Sequence, residues 1–495
     1  MRRLFAILFA VLVLNYVQAQ TSGTCGDNLT WSLDKTTGAL TISGDGAMTN
    51  YTSSAKAPWY DSRTSVKKVS FSGNITSIGA YAFYGTSLTS VTIPSGVTIL
   101  GNYAFSNCSS LTSVTIPSGV TSIGGSAFSN CTSLTSVTIP SGVTSIGSSA
   151  FYQCTSLTSV TIPSGVTSIG SSAFQNCKSL RNIEIPSSVT SIANGAFYGC
   201  TSLFSIISNI PSDKLFVPGN NAFYNVDKEK CTLAVPAGSK SKYASTEQWK
   251  DFTDVVEFSS GNKCGSNLYW SFNSTTGMLY IFGSGSMYSY NDSSNLAPWN
   301  SNKTKIKSVV IKSNVTGIGS YAFLGCSSLR SIISEAPSAI VCGSNAFDGV
   351  SNCVLAVPSG LKSAYSAASV WKNFSTIVEY SGKCGSDLYW SLDTSGRFYL
   401  LGCGAMNNYT SSATSTTTPQ LPWYDSRTSV KTVRFCGNIT SLGSSAFSGC
   451  TSLTSVTIPS GVTSLGNSAF YQCTSLTSAT IPSGVTSISN GAFQY

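Results

Sequence analysis

Apolar residues recur along this chain on a fixed schedule, for example at Leu134, Val137, Ile139, Val143, Ile146, Ala150 and Phe151, with Ser, Thr and Gly between them. Phe105, Phe128, Phe151, Phe174 and Phe197 stand 23 residues apart. Self-similarity at that period marks a solenoid, in which each coil buries its apolar face against the next. Seven apolar side chains at about 1.5 to 3 kcal/mol each do not offset roughly 1 to 2 kcal/mol of backbone entropy for every residue of the coil. A lone coil therefore does not fold, and the array needs lids at its ends. Each coil predicts a strand around Ser136-Val137-Thr138-Ile139 in a parallel sheet, a turn at Pro140-Ser141-Gly142, and a second strand over Val143 to Ile146. Helix is expected to be scarce, because no 3.6-residue pattern runs through the coils.

A longer periodicity divides the chain. Cys25-Gly26, Cys264-Gly265 and Cys384-Gly385 each precede a Trp (Trp31, Trp270, Trp390), a Met (Met48, Met287, Met406) and a Pro-Trp pair (Pro58-Trp59, Pro298-Trp299, Pro422-Trp423). These read as three copies of one cap, opened by a β-hairpin around Thr37-Gly38. The first two modules close with matching segments, in which Tyr243, Trp249 and Phe252 recur as Tyr365, Trp371 and Phe374. The third has no such lid, so self-association through its uncapped C-terminal coil is one expectation. The organisation expected is a signal peptide over 1–19, a cap with about seven coils and a closing helix over 20–258, a short array over 259–380, and a cap with about three coils over 381–495. Limited proteolysis is expected near Ser259 to Lys263 and near Ser381 to Lys383.

The signature LxxVxIPxxVxxIGxxAFxxC is clean from Leu111 to Cys200 and again from Leu453 to Ala492. Together with the Pro-Trp caps, it resembles the Treponema-type leucine-rich repeats of BspA-like surface proteins of bacteria and protists. The resemblance implies a mainly β, right-handed leucine-rich-repeat solenoid in three capped arrays. It also implies adhesion to host cells, to extracellular-matrix protein or glycan, or to other microbes. Such scaffolds share a fold and differ in ligand.

The first residues read as a secretory signal, with basic Arg2 and Arg3, an apolar run from Leu4 to Leu14 and a small-residue cleavage site at Val17-Gln18-Ala19. That run is too short to span a bilayer and no later stretch approaches the length required, so secretion or non-covalent surface attachment is expected. Net charge is +9, and it falls by two to +7 once Arg2 and Arg3 are removed. That is no nucleic-acid footprint. Charged residues make up only 9% of the chain, and Ser and Thr supply the polar surface instead.

Histidine is absent, which removes the commonest general base and the commonest metal ligand together. The glycines sit in turns and form no phosphate-cradling motif, so no catalytic residue and no cofactor is assigned and the chain reads as a non-enzyme. Of the 16 cysteines, Cys108, Cys131, Cys154, Cys177 and Cys200 repeat every 23 residues and occupy one column. In-register neighbours point in parallel and do not converge as a disulfide requires. They read as buried free thiols that fill small apolar gaps, and no CxxC zinc pair occurs.

Binding is expected on the outward row of the strands. Thr112, Thr115, Thr135, Thr138, Thr158 and Thr161 form a flat hydroxyl lattice, resumed at Thr454, Thr457, Thr477 and Thr480 and broken by Arg181, Asn182 and Glu184. A blander reading is that Thr suits strands and stacks with its copies. A secondary basic edge comprises Lys67 and Lys68, Lys305 and Lys307, and Lys431 and Arg434. It serves either polyanion binding or protection of a border strand. Cys403 and Cys436 occur in one cap only, which predicts a disulfide between them. Twelve Asn-x-Ser/Thr sequons, Asn28 and Asn74 among them, are candidate glycan acceptors. Two other classes stay open: a structural or antigenic coat with no specific ligand, and an ice- or crystal-binding solenoid suggested by the Thr rows.

Overall fold

The computed structural model describes residues 21–259, 261–410 and 419–494. The signal-peptide expectation lies outside them. The chain divides into two compact units, Met1–Glu257 and Phe258–Tyr495. The second and third modules, expected separately, share the second unit.

In the first unit the cap is a sheet of Ser22–Gly26, Leu29–Asp34 and Ala39–Gly44 in antiparallel order, joined in parallel by Lys68–Ser72. Leu29, Trp31 and Leu33 alternate inward with exposed Thr30, Ser32 and Asp34, as a sheet with one buried face requires. Each regular coil then contributes a three-residue strand such as Ser136–Thr138 and a two-residue strand such as Ser145–Ile146. Both pair in parallel with their copies 23 residues on, Val137 against Val160 and Ser145 against Ser168. The third side of the coil is a ladder of turns. The Phe128 N–H donates to the Ala150 carbonyl at 2.8 Å, and Ser126 to Ser148 at 2.8 Å. Two residues per coil adopt left-handed backbone there, for example Ser149 (φ 55°) and Gln153 (φ 55°). Ser, Asn and Gly dominate these positions.

Inside, the phenylalanines stack. Phe83, Phe105, Phe128, Phe151, Phe174, Phe197 and Phe223 follow one another with centroids 5.1 to 5.6 Å apart and planes within 8°. Trp59 closes one end, 6.0 Å from Phe83, with its indole N–H on the Ala82 carbonyl at 2.8 Å; Trp249 closes the other, 4.9 Å from Phe223. The column cysteines are free and buried. Beyond filling space, each thiol donates to the carbonyl of the stacked Phe one coil back: Cys131 to Phe105 at 3.2 Å, Cys154 to Phe128 at 3.1 Å and Cys177 to Phe151 at 3.2 Å. Those carbonyls are thereby satisfied in the dry interior.

Burial pushes these thiols up, Cys108 to about 11 and Cys154 and Cys200 to about 12, with Cys131 and Cys177 also raised well above 9.0. A thiol raised on folding favours the native state fully below the unfolded value and loses that contribution as pH rises through the folded one. Stability should therefore fall steeply between about pH 9 and 11, by about 1.4 kcal/mol per column thiol for each pH unit. Melting temperatures across that range test this, since replacing Cys131, Cys154 and Cys177 by Ala should flatten the slope and an unchanged slope would refute it.

In the second unit the same plan recurs twice. Trp299, Phe323, Phe347 and Trp371 form one ladder, and Trp423, Phe447, Phe470 and Phe493 another. The only helical turns of α type described in the chain are Lys240–Tyr243 and Lys362–Ala367, which carry buried Tyr243 and Tyr365. The segment expected to be a cleavable link at Ser381 to Lys383 is structured. Gly382–Lys383 pairs antiparallel with Leu388–Leu392, and Ser381 N–H reaches the Trp390 carbonyl at 2.8 Å.

Candidate binding surface

The strands of the first array present their odd-even alternation cleanly. Val137, Ile139, Val160 and Ile162 are buried, whereas Thr112, Thr115, Thr135, Thr138, Thr158 and Thr161 are exposed. The two Thr columns differ in chemistry. Thr112, Thr135 and Thr158 donate their hydroxyls to the carbonyl of the Thr one coil back, at 2.9, 3.4 and 3.0 Å. They belong to the scaffold. Thr138 pairs in register with Thr161, and Thr115 with Thr92 of the preceding coil. Thr115, Thr138 and Thr161 make no side-chain hydrogen bond among the described residues, so each offers both a donor and an acceptor outward.

Beside them Arg181 is exposed, while Asn182 and Glu184 are half-buried. Glu184 accepts from the Asn209 amide at 2.9 Å, which ties it to the following coil. The basic edges occupy equivalent places by each cap hairpin. Lys67, Lys307 and Lys431 donate their backbone N–H to the carbonyls of Gly38, Gly277 and Gly396 at 2.8 to 2.9 Å. Lys68, Lys305 and Arg434 lie on the same stretches, and these three are exposed. Among the described residues no group of three or more Cys, Asp or Glu could hold a metal ion.

The same outward row looks different in the second array. Its strands Ser308–Ile311, Ser331–Ser334, Val354–Val357 and Thr376–Glu379 turn Val310, Ile333, Ala356 and Val378 outward, and all four are buried. They pack in one cluster with Tyr389, Tyr399, Leu401, Cys403 and Cys436 from the outer face of the third cap. The Gly402 N–H donates to Ser331 Oγ at 3.2 Å, and Ser331 and Ser308 share a hydrogen bond of 2.6 Å. At the rim, Glu335 accepts from the Tyr389 hydroxyl and lies 3.3 Å from Lys312 and 3.9 Å from Lys383. A strand face of this solenoid thus receives a β-sheet of the chain itself. The signal was present in the sequence as Val310, Ile333 and Ala356 where the regular coils have Thr138 and Thr161, but the apolar switch went unread.

This seam also corrects the disulfide expectation. Cys403 and Cys436 are free, buried thiols. Strand register sets Leu401 opposite Cys436 and Cys403 opposite Asn438, so the two are diagonal neighbours. In this parallel pair a two-residue rise and one strand spacing put such neighbours roughly 8 Å apart, past the span a disulfide closes. Both lie on a cap face that is covered, whereas in the first cap the equivalent Asp45 and Ser72 are exposed.

Short strands stacked in parallel from 23-residue coils, with a Leu-Val-Ile-Phe interior and Trp lids, define a leucine-rich-repeat protein. The chain belongs to the BspA-type family: the model described as "BspA type Leucine rich repeat region (6 copies)" matches residues 56–181, 123–244, 167–276, 301–380 and 403–495. Among solved structures the chain is similar to a leucine-rich repeat protein from Bacteroides ovatus, at 24% identity over 95% of this chain and 91% of that one, with a TM-score of 0.29. It is also similar to a leucine rich cell surface protein from Faecalibacterium prausnitzii, at 21% identity over 96% and 93% with a TM-score of 0.26. A leucine-rich repeat protein of T. pallidum matches at 24% identity over 44% of this chain and 92% of that one, with a TM-score of 0.27. No curated protein matches the chain significantly. The family assignment rests on the repeat model and the coil geometry.

Proposed function

We propose that this chain is a secreted or cell-surface binding protein, which adheres to host cells, extracellular matrix or other microbes through the open strand face of its first array. One observation carries the reading. The outward strand row is occupied by a β-sheet in the second array, whereas in the first it is exposed over the coils of Thr115, Thr138 and Thr161, whose hydroxyls are uncommitted, and becomes buried only further along, at Ile207 and Ala234. The same face is therefore suited to a protein or glycan surface, with Arg181 as a cationic side chain at its border. Polar, hydroxyl-rich contacts of this kind rely on shape and hydrogen bonding more than on apolar burial. The N-terminal signal pattern supports export, and no described helix is long and apolar enough to cross a membrane.

The test is an array of immobilised matrix proteins and glycans probed with the purified chain from Gln20 onward. Saturable binding that soluble ligand competes away is expected for at least one component. A lack of saturable binding to every component would favour the coat-protein reading, and thermal hysteresis in its place would favour ice binding.

A further inference from the structure

Four tyrosines line the turn side of the first array, next to its cap. Tyr60 lies 6.4 Å from Tyr84 with rings 20° apart, Tyr84 lies 5.6 Å from Tyr81, and Tyr81 stacks on Tyr103 at 4.6 Å and 18°. They form a continuous ridge. Tyr103 is 38% exposed and the other three are half-buried. None of the four hydroxyls is hydrogen-bonded among the described residues. Interior packing does not require them, because the core at this level is filled by Phe83 and Phe105.

Backbone conformation makes their presence costly. Tyr81 and Tyr103 occupy the left-handed turn position, at φ 55° and 57°. Regular coils place Ser126, Ser149 and Ser172 there, and later ones Gly195 and Asn221. A bulky side chain in that region is unusual and points to a use for the side chain. The ridge is also peculiar to the first array: the corresponding residues are Asn300, Leu324, Tyr321 and Asn345 in the second and Tyr424, Ser448, Ser445 and Ser468 in the third.

Two cations stand at one end. Lys56 Nζ lies 4.2 Å and Arg63 Cζ 3.9 Å from the centroid of the Tyr60 ring, and Arg63 is further fixed by a 2.9 Å bond to the Tyr60 carbonyl. With Asp61 alongside, the ridge carries a net single positive charge. Because the ring faces cover one another, the row offers apolar ring edges and free phenols together, and the exposed Lys56 ammonium adds a point attraction for an anion.

We propose that the ridge formed by Tyr60, Tyr84, Tyr81 and Tyr103, with Lys56 at its end, is a binding strip for an acidic polysaccharide. Sugar C–H groups pack on the part-exposed ring edges along the row, sugar hydroxyls pair with the phenols, and a carboxylate or sulfate meets Lys56. Single-stranded nucleic acid also stacks on aromatic ladders, but it carries one charge per residue and is held in basic grooves, which this ridge lacks. The strip lies on the turn side of the coils, away from the strand face, so it stands or falls independently of the binding reading above.

Binding of the purified chain to hyaluronan, chondroitin sulfate, neutral dextran and oligothymidylate tests it, with the first two separating carboxylate from sulfate recognition. Saturable binding to at least one of the acidic polysaccharides is expected, with dextran and oligothymidylate weaker. Tyr81→Ser with Tyr103→Ser, which restores the residue used in the regular coils and so preserves the fold, should weaken binding by at least about tenfold. Lys56→Gln should weaken it less and reduce its salt dependence. Absence of saturable binding to either acidic polysaccharide, wild-type affinity in the double Ser variant with an unchanged circular dichroism spectrum, or equal binding of oligothymidylate would each overturn the proposal.

Discussion

Replacing Glu335 by Ala is expected to destabilise the second unit by about 3 to 5 kcal/mol, the range for removing one partner of a buried ion pair. Lys312 has a side chain only 5% exposed, and its ammonium lies 3.3 Å from the Glu335 carboxylate, which is itself 20% exposed. Truncation takes one carboxylate partner away from a lysine with little access to bulk water, and it removes one acceptor of the Tyr389 hydroxyl. The damage should concentrate where the third cap meets the second array. Urea unfolding of the full chain, followed by hydrogen exchange at Gly382–Leu392 and at Ser331–Ser334, would locate it. Replacing both residues, Glu335→Leu with Lys312→Met, should recover most of the loss, because a buried pair exchanged for apolar groups of similar volume is close to neutral. A single variant with wild-type stability would show that the rim carboxylate does not hold the seam.

Phe151→Ala is expected to cost about 3 to 5 kcal/mol, as for other buried aromatic truncations. The ring is fully buried between Phe128 at 5.5 Å and Phe174 at 5.3 Å, so a single change empties two stacking contacts at once. Solenoid coils interact with their nearest neighbours only. The first array should therefore lose cooperativity on both sides of the cavity and unfold at lower urea, while the Trp299 and Trp423 ladders of the second unit keep their own transition. A single unchanged transition would mean that the ladder is not what couples the coils.

The 23-residue period, the strand at Ser136–Thr138, the inward set from Leu134 to Phe151 and the Trp lids were legible because each repeats, and repetition averages away local ambiguity. Non-repeating features were not. The seam between the second and third modules depends on a few outward positions, Val310, Ile333, Tyr389 and Leu401, which are apolar where the regular coils and the first cap carry Thr138, Thr161, Thr30 and Ser43. The joint appearance of Cys403 and Cys436 suggests a bonded pair, whereas what they share in the fold is burial against that seam. Ser381 to Lys383 reads as a linker by composition, yet its backbone forms a local hairpin with Leu388–Leu392 and so belongs to the third cap. The tyrosine ridge escaped notice because Tyr60, Tyr81, Tyr84 and Tyr103 are irregularly spaced in sequence and become neighbours only through coil stacking. For the candidate surface, exposure of the Thr columns followed from strand alternation. The division into committed and uncommitted hydroxyls did not, because it turns on which carbonyl of the neighbouring coil each side chain reaches.

Whether the open strand face of the first array is the binding surface is tested most directly by Thr138→Arg combined with Thr161→Arg, two changes at exposed positions whose side chains make no internal hydrogen bond. Binding of this variant to whichever matrix or glycan component the wild-type chain recognises should fall by at least about tenfold, equivalent to roughly 1.4 kcal/mol, with an unchanged circular dichroism spectrum and urea midpoint. Undiminished saturable binding by the folded variant would contradict the assignment of function to that face.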